Sequence, residues 1–195
     1  VFTWLLLGEF IVYACAAMRW DRLDEATAQG ILIAAGLAAV VLWSCLIKSV
    51  SMTALYVNVL PLMLIALAIC TWKSFPVLRV AALGQALLIT GVWVAFRYQP
   101  ADWTALNVFA WLLLGEFIVY TCAALYLRRI DDISAQGILV AAGSAAVVLW
   151  VYLMESASMN AMLACVLGLV VVTLAICTWK DFSVLRVAVF LWSAG

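Results

Sequence analysis

Long apolar segments alternate with short polar breaks along the whole chain. Each complete segment has about twenty residues, the length that an α-helix needs to cross a bilayer. Apolar residues occupy consecutive positions and do not alternate with polar ones as in a barrel strand. The pattern predicts eight transmembrane helices, the last one truncated, at residues 1–19, 29–47, 54–72, 77–96, 105–127, 136–154, 159–179 and 184–195.

The same stretch of sequence occurs twice. The run from Trp4 to Tyr13 returns from Trp111 to Tyr120, and the match continues without a gap to about Ala81 at an offset of 107 residues. Four helices bring the chain back to its starting side, so the second copy enters the membrane in the same direction as the first. We therefore predict an all-α integral membrane protein, a polytopic bundle of two tandem parallel four-helix repeats at 1–107 and 108–195. The chain starts and stops inside apolar segments, so we expect it to be a piece of a longer protein.

Composition agrees with a membrane protein. The chain is 70% hydrophobic and only 10% charged, and its mean hydropathy is +1.23. Soluble domains are about half apolar and about a quarter charged. The lipid bilayer is therefore the first expected partner, together with other transmembrane helices of the same or partner chains. The formal net charge is zero, which gives no reason to expect a nucleic-acid partner.

The positive charges predict an orientation. Loops that follow odd-numbered helices, with the adjoining helix ends, carry most of the cations, whereas the opposite side has only Lys48 and Arg97. By the positive-inside rule the cation-rich loops are cytoplasmic and the N-terminal end is outside, with the bacterial inner membrane as the expected location. The cytoplasmic group is Arg19, Arg22, Lys73, Arg79, Arg128, Arg129, Lys180 and Arg186.

Tryptophans stand near the predicted helix ends. Trp72 and Trp179 each precede a lysine, and Trp43 and Trp150 lie toward the other end of segments two and six. Indole rings are enriched at the headgroup level of membranes. We therefore expect all four side chains at the membrane surfaces.

Each copy has one glutamate inside its first helix. Glu116 lies at the centre of segment 105–127, about 16 Å from either end, and Glu9 is its equivalent. A lone ionised carboxylate at that depth is strongly disfavoured, so we expect each acid to be protonated or paired with a cation. The candidate partners are the tyrosines one helical turn away and the deepest cations, namely Tyr13, Tyr120, Arg79 and Arg186.

Small residues form a second shared pattern, in segments two and six. Residues with short side chains at a spacing of four let helix backbones approach closely in membranes. We predict helix-packing roles for Ala35, Gly36, Ala39, Ala142, Gly143 and Ala146.

Several kinds of chemistry have no basis in the sequence. The chain has no histidine, and its six cysteines form no CxxC pair, so we expect no metal site and no cofactor. Phosphate-binding glycine loops and nucleophile–base motifs are also missing from the sequence. We therefore expect that the chain is not an enzyme.

Two functions remain open at this point. The first is a scaffold or accessory membrane module of a larger protein or complex, in which buried protonated glutamates serve helix packing. The alternative is a proton- or cation-coupled transporter that uses Glu9 and Glu116. The plan is similar to that of small multidrug-resistance transporters, with four helices in just over a hundred residues and a glutamate in the first. The likeness is one of organisation, since their other motif residues find no match here.

Overall fold

The computed structural model describes Gly8 and residues 24–46, 51–153 and 158–194. Every regular element in these ranges is helical, and a short 3-10 turn at Pro100–Asp102 connects the two halves of the chain. The first predicted segment, with Glu9 and Tyr13, lies outside the described residues apart from Gly8. The helices correspond to predicted segments two to eight: α1 (Glu25–Leu46), α2 (Met52–Lys73), α3 (Pro76–Arg97), α4 (Trp103–Tyr126), α5 (Asp132–Tyr152), α6 (Met159–Trp179) and α7 (Ser183–Ala194).

Four of these helices are long and apolar enough to cross a membrane, namely α3, α4 with its preceding turn, α5 and α6. The other three contribute shorter apolar stretches, Ala26–Val41, Val59–Lys73 and Ser183–Ser193. The prediction of an all-α protein built from membrane-type helices is therefore confirmed for the part of the chain that the structure describes.

The chain divides into two compact units, Val1–Tyr98 and Gln99–Gly195. In unit 1, α3 packs against both α1 and α2. Its core lies where the three helices meet near the turn between α2 and α3. The buried residues of this core are Ala28, Leu32, Ile69, Cys70, Phe75 and Leu78.

Unit 2 has a core of the same kind. Here α5 packs against α4 and α7, and α6 packs against α7. All but one of its core residues, Leu125 being the exception, stand 107 positions after a core residue of unit 1. The cluster consists of Leu125, Ala135, Leu139, Ile176, Cys177, Phe182 and Leu185.

Polar groups fix several helix starts. The Asp131 carboxylate accepts a hydrogen bond from Ser134 N at 2.9 Å at the start of α5, and Ser158 Oγ accepts one from Ala161 N at 3.2 Å at the start of α6. Both bonds satisfy backbone N–H groups that have no partner within the helix. At the start of α3, Pro76 occupies a first-turn position where no N–H is needed. These caps place the helix boundaries close to the polar breaks of the sequence.

The tryptophans expected at the membrane surfaces differ in their exposure to solvent. Trp72 and Trp179 are exposed at the ends of α2 and α6. The neighbouring lysine ammonium groups lie 5.0 Å and 5.8 Å from their ring centroids. Trp150 differs from the expectation, because it is buried inside unit 2. The Trp43 side chain lies outside the described residues.

Candidate functional site

Glu116 lies in the middle of α4, and its side chain is half-buried. Its Oε2 atom is buried and has no hydrogen-bond partner in the described structure. A carboxylate oxygen without a donor is costly to bury in its ionised form. The geometry is therefore compatible with a neutral carboxyl group at this position.

The two arginines expected near the glutamates have different surroundings. Arg79, in the first turn of α3, is only 2% exposed, and its Nη2 donates a hydrogen bond to Thr71 Oγ1 at 3.3 Å. The Arg186 side chain is 55% exposed, and its Nη2 lies 2.8 Å from Asp181 Oδ1. Within unit 2, the partner of Arg186 is thus a neighbouring loop acid rather than Glu116.

The small residues of α1 and α5 lie where helices cross. Gly36 is buried against α3, and a methyl group added there would be 2.6 Å from Gln85 Nε2. Gly143 is buried against α7, and the same addition would be 2.8 Å from Trp192 Cζ2. At Gly36 the flexible end of the Gln85 side chain can move aside, whereas at Gly143 the rigid Trp192 ring cannot, so Gly143 is the position that requires glycine in the present packing. Their neighbours in the predicted stripes are also enclosed: Ala39, Ala142 and Ala146 are buried and Ala35 is half-buried.

A narrow cavity adjoins the Gly36 crossing in unit 1. The volume of this cavity is about 30 Å³. Its wall is mostly apolar and includes Leu32, Met63 and Ala82, and Gln85 contributes a polar group. That space corresponds to roughly two water molecules. The cavity is too small for a substrate of ordinary size, and Glu116 belongs to the other unit.

A polar cluster around the half-buried Asn107 joins three helices of unit 2. Trp150 Nε1 of α5 donates to Asn107 Oδ1 of α4 at 3.0 Å, and Cys165 Sγ of α6 donates to the same oxygen at 3.3 Å. The Trp111 ring lies 5.4 Å from the Trp150 ring, centroid to centroid. Asn107 is not among the residues predicted from the sequence. Its signal was an isolated asparagine in an apolar helix, since such residues form hydrogen bonds to neighbouring helices.

Glutamines make a second set of links between helices. Gln29 Oε1 of α1 accepts a hydrogen bond from Leu78 N of α3 at 3.3 Å. In unit 2, Gln136 Oε1 of α5 accepts one from Val184 N of α7 at 3.0 Å. Each bond satisfies a first-turn N–H group that the helix itself leaves free. Gln136 stands 107 positions after Gln29.

The described cysteines Cys70, Cys122, Cys165 and Cys177 are free thiols. Within the described ranges, no three cysteine or acidic side chains converge in a way that could hold a metal ion. Comparison of the chain with protein-family models, curated proteins and solved structures finds no match.

Proposed function

We propose that the chain is a membrane-embedded scaffold or accessory module of a larger protein or complex, and that it has no enzymatic activity. The observation that carries this proposal is the use of buried and half-buried polar side chains for helix-to-helix hydrogen bonds. Gln29, Gln136 and Asn107 each bond a neighbouring helix. Such bonds hold transmembrane helices together because lipid offers no competing donors or acceptors.

In this proposal the chain forms eight transmembrane helices in two tandem parallel repeats. The matched positions of the two cores support it, as do Gly36 and Gly143, which meet residues of α3 and α7 at the same offset. The cation-rich loops would be cytoplasmic in a bacterial inner membrane. Glu116, and Glu9 as its equivalent, would be protonated groups of the helix packing.

The partners would be lipid and further transmembrane helices. Among the four long helices, α6 has the apolar stretch with the smallest buried share. Its exposed side chains include Leu163, Leu167, Val171 and Leu174, which are spaced by four, four and three residues. This spacing places them on one face of the helix, as in helix pairs. The proposal assigns this face to a helix of a partner.

Photo-crosslinking in native membranes tests the scaffold proposal. A photoreactive phenylalanine derivative at Leu167 should give an adduct with a second protein, whereas the same group at the buried Leu169 should not. The control position lies on the same helix, so both variants probe the same depth of the bilayer. If irradiation at Leu167 gave only lipid adducts, the proposal would lose its partner surface.

A second candidate function is a proton- or cation-coupled transporter that uses Glu9 and Glu116. The observation in its favour is the buried Oε2 of Glu116 with no partner in the described structure, since intramembrane acids often form ion pathways. Proton uptake into liposomes containing the protein separates the two functions. The scaffold proposal expects no uptake above that of protein-free liposomes. Uptake that disappears in the Glu9→Gln/Glu116→Gln variant would establish the transporter instead.

A further inference from the structure

Arg79 is a buried guanidinium with unused hydrogen-bond donors. Its Nη2 donates to Thr71, and the group lies beside the Cys70 thiol. Its Nε and Nη1 atoms are buried without a hydrogen-bond partner among the described residues. Burying a cation without an anion is strongly unfavourable. This side chain therefore requires an explanation that the described residues of unit 1 do not supply.

Unit 2 shows the same arginine with an anion. Arg186 stands 107 residues after Arg79, and the first helical turn around both is alike, whereas the preceding turns differ: Ser74 has a left-handed φ of 60° and Asp181 does not. The N–H groups of the two arginines donate to Phe75 O and Phe182 O, each at 3.2 Å. Both phenylalanines are buried. In unit 2, however, the arginine reaches outward to Asp181 at 2.8 Å.

The two units differ at the residue that supplies the anion. The position equivalent to Asp181 in unit 1 is Ser74, which has no charge. Unit 1 thus keeps the arginine but has no carboxylate at this one position. Arg186 demonstrates that an outward arginine side chain fits this first helical turn.

The Arg79 position lies at the level of a membrane surface. Arg79 is about 5 Å along α3 from its first residue. The adjoining end of α2 has the exposed Trp72, with the Lys73 ammonium group 5.0 Å from the centre of its ring. Tryptophan and lysine are typical of the headgroup region. Phosphate groups are the abundant anions there, and guanidinium groups bind them through paired N–H bonds.

We propose that Arg79 and the turn at Ser74 form a binding site for a phosphate-type anion, which takes the place that the Asp181 carboxylate has in unit 2. The anion is either the phosphate of a lipid headgroup or a free phosphate from solution. When it binds, the guanidinium turns outward and pairs its free N–H groups with the phosphate oxygens. This site does not depend on whether the chain acts as a scaffold.

Thermal unfolding of the full chain in detergent micelles tests the site. Three additions are compared: inorganic phosphate against chloride at equal ionic strength, phosphatidylglycerol, and diacylglycerol, which lacks the phosphate. We expect the unfolding midpoint to rise saturably with phosphatidylglycerol, with phosphate, or with both, and not with diacylglycerol. The first two additions distinguish a headgroup from a free anion.

Three variants link the response to Arg79. Arg79→Gln should weaken the apparent anion affinity by about tenfold or more, because charge-assisted hydrogen bonds are lost. Ser74→Asp should raise the midpoint without any addition and abolish the response, since the new carboxylate occupies the site. Asp181→Ser should create a second response in unit 2 by freeing Arg186.

Two outcomes would overturn the proposal. One is a wild-type midpoint that none of the phosphate-bearing additions raises, together with no stabilisation by Ser74→Asp. The other is a response that persists undiminished in both Arg79→Gln and Ser74→Asp, which would place the anion elsewhere.

Discussion

The close contact between Gly143 and Trp192 leads to a quantitative prediction for Gly143→Ala. The new methyl group would lie 2.8 Å from Trp192 Cζ2 in the present packing. The indole is rigid, and its Nε1 donates to Ser144 Oγ at 3.2 Å. The ring can therefore retreat from the methyl group only by weakening this hydrogen bond and opening the crossing of α5 and α7.

Three effects set the size of the change in the free energy of unfolding. Overpacking costs about 1–3 kcal/mol, and a weakened hydrogen bond costs about 0.5–1.5 kcal/mol. Replacing glycine by alanine inside a helix stabilises the folded state by roughly 0.5–1 kcal/mol. Steric overlap is the largest of the three, so we expect Gly143→Ala to lower the free energy of unfolding by about 1–3 kcal/mol.

The assay is unfolding of the purified protein in detergent by a denaturing surfactant, followed by helical circular dichroism. Gly137→Ala is the matched control, because Gly137 is on the same helix and an added Cβ meets nothing within 4 Å. The control should be neutral or slightly stabilising. Trp192→Gln, which introduces the residue found at the equivalent position of unit 1, should relieve much of the cost when combined with Gly143→Ala.

Two results would refute this reasoning. If Gly143→Ala were as stable as Gly137→Ala, the crossing would not be tightly packed. If the double variant lost as much stability as the two single variants together, the cost would not come from contact with the indole, because residues in contact show non-additive effects.

Two further predictions concern buried and capping polar groups. Asn107→Ala removes the acceptor of Trp150 Nε1 and Cys165 Sγ, so unfolding in detergent should become easier by about 1–3 kcal/mol. The exposed Asn160→Ala should change it by less than about 0.5 kcal/mol, and equal effects would contradict the role of Asn107. Hydrogen bonds from the Ser134 hydroxyl and N–H hold the pKa of Asp131 below its ordinary value, and Thr27 lowers the pKa of Asp24 in the same way. A lowered folded-state pKa stabilises the protein above the unfolded pKa of about 3.9, and this stabilisation disappears as the pH falls through the folded value. The double variant Asp24→Asn/Asp131→Asn keeps a capping side chain at both positions. Its unfolding midpoint should fall less than that of the wild type as the pH is lowered from about 5 to about 2. An equal fall in both proteins would argue against these caps.

Helix positions were predictable because lipid leaves the chain few choices. Apolar segments 77–96 and 159–179 correspond to α3 (Pro76–Arg97) and α6 (Met159–Trp179) within a few residues. A backbone in an apolar solvent must satisfy its own hydrogen bonds, so a long apolar segment forms a helix. Prolines and capping residues at the polar breaks then determine the ends.

Side-chain partners were less predictable, because they depend on which helix faces which. Trp150 was expected at the membrane surface, as its distance from the end of the segment suggests. The structure buries it against Asn107 instead, since an indole N–H can be satisfied by a buried acceptor as well as by water. Periodicity along one helix contains no information about the neighbour that supplies the acceptor.

The positions at which the two units differ at the 107-residue offset are the most informative for function. Where the copies agree, as in the core residues Phe75 and Phe182, the same packing results in both units. Where they differ, the interior chemistry changes: Ser74 in place of an aspartate leaves a guanidinium without its acid. A stable membrane helix pair tolerates an unpaired buried cation poorly, so such a position persists only if something outside the described residues satisfies it. Arg79 is therefore a stronger candidate for ligand chemistry than Glu116, because a carboxyl group can become neutral by taking up a proton, whereas a guanidinium remains charged and requires an anion.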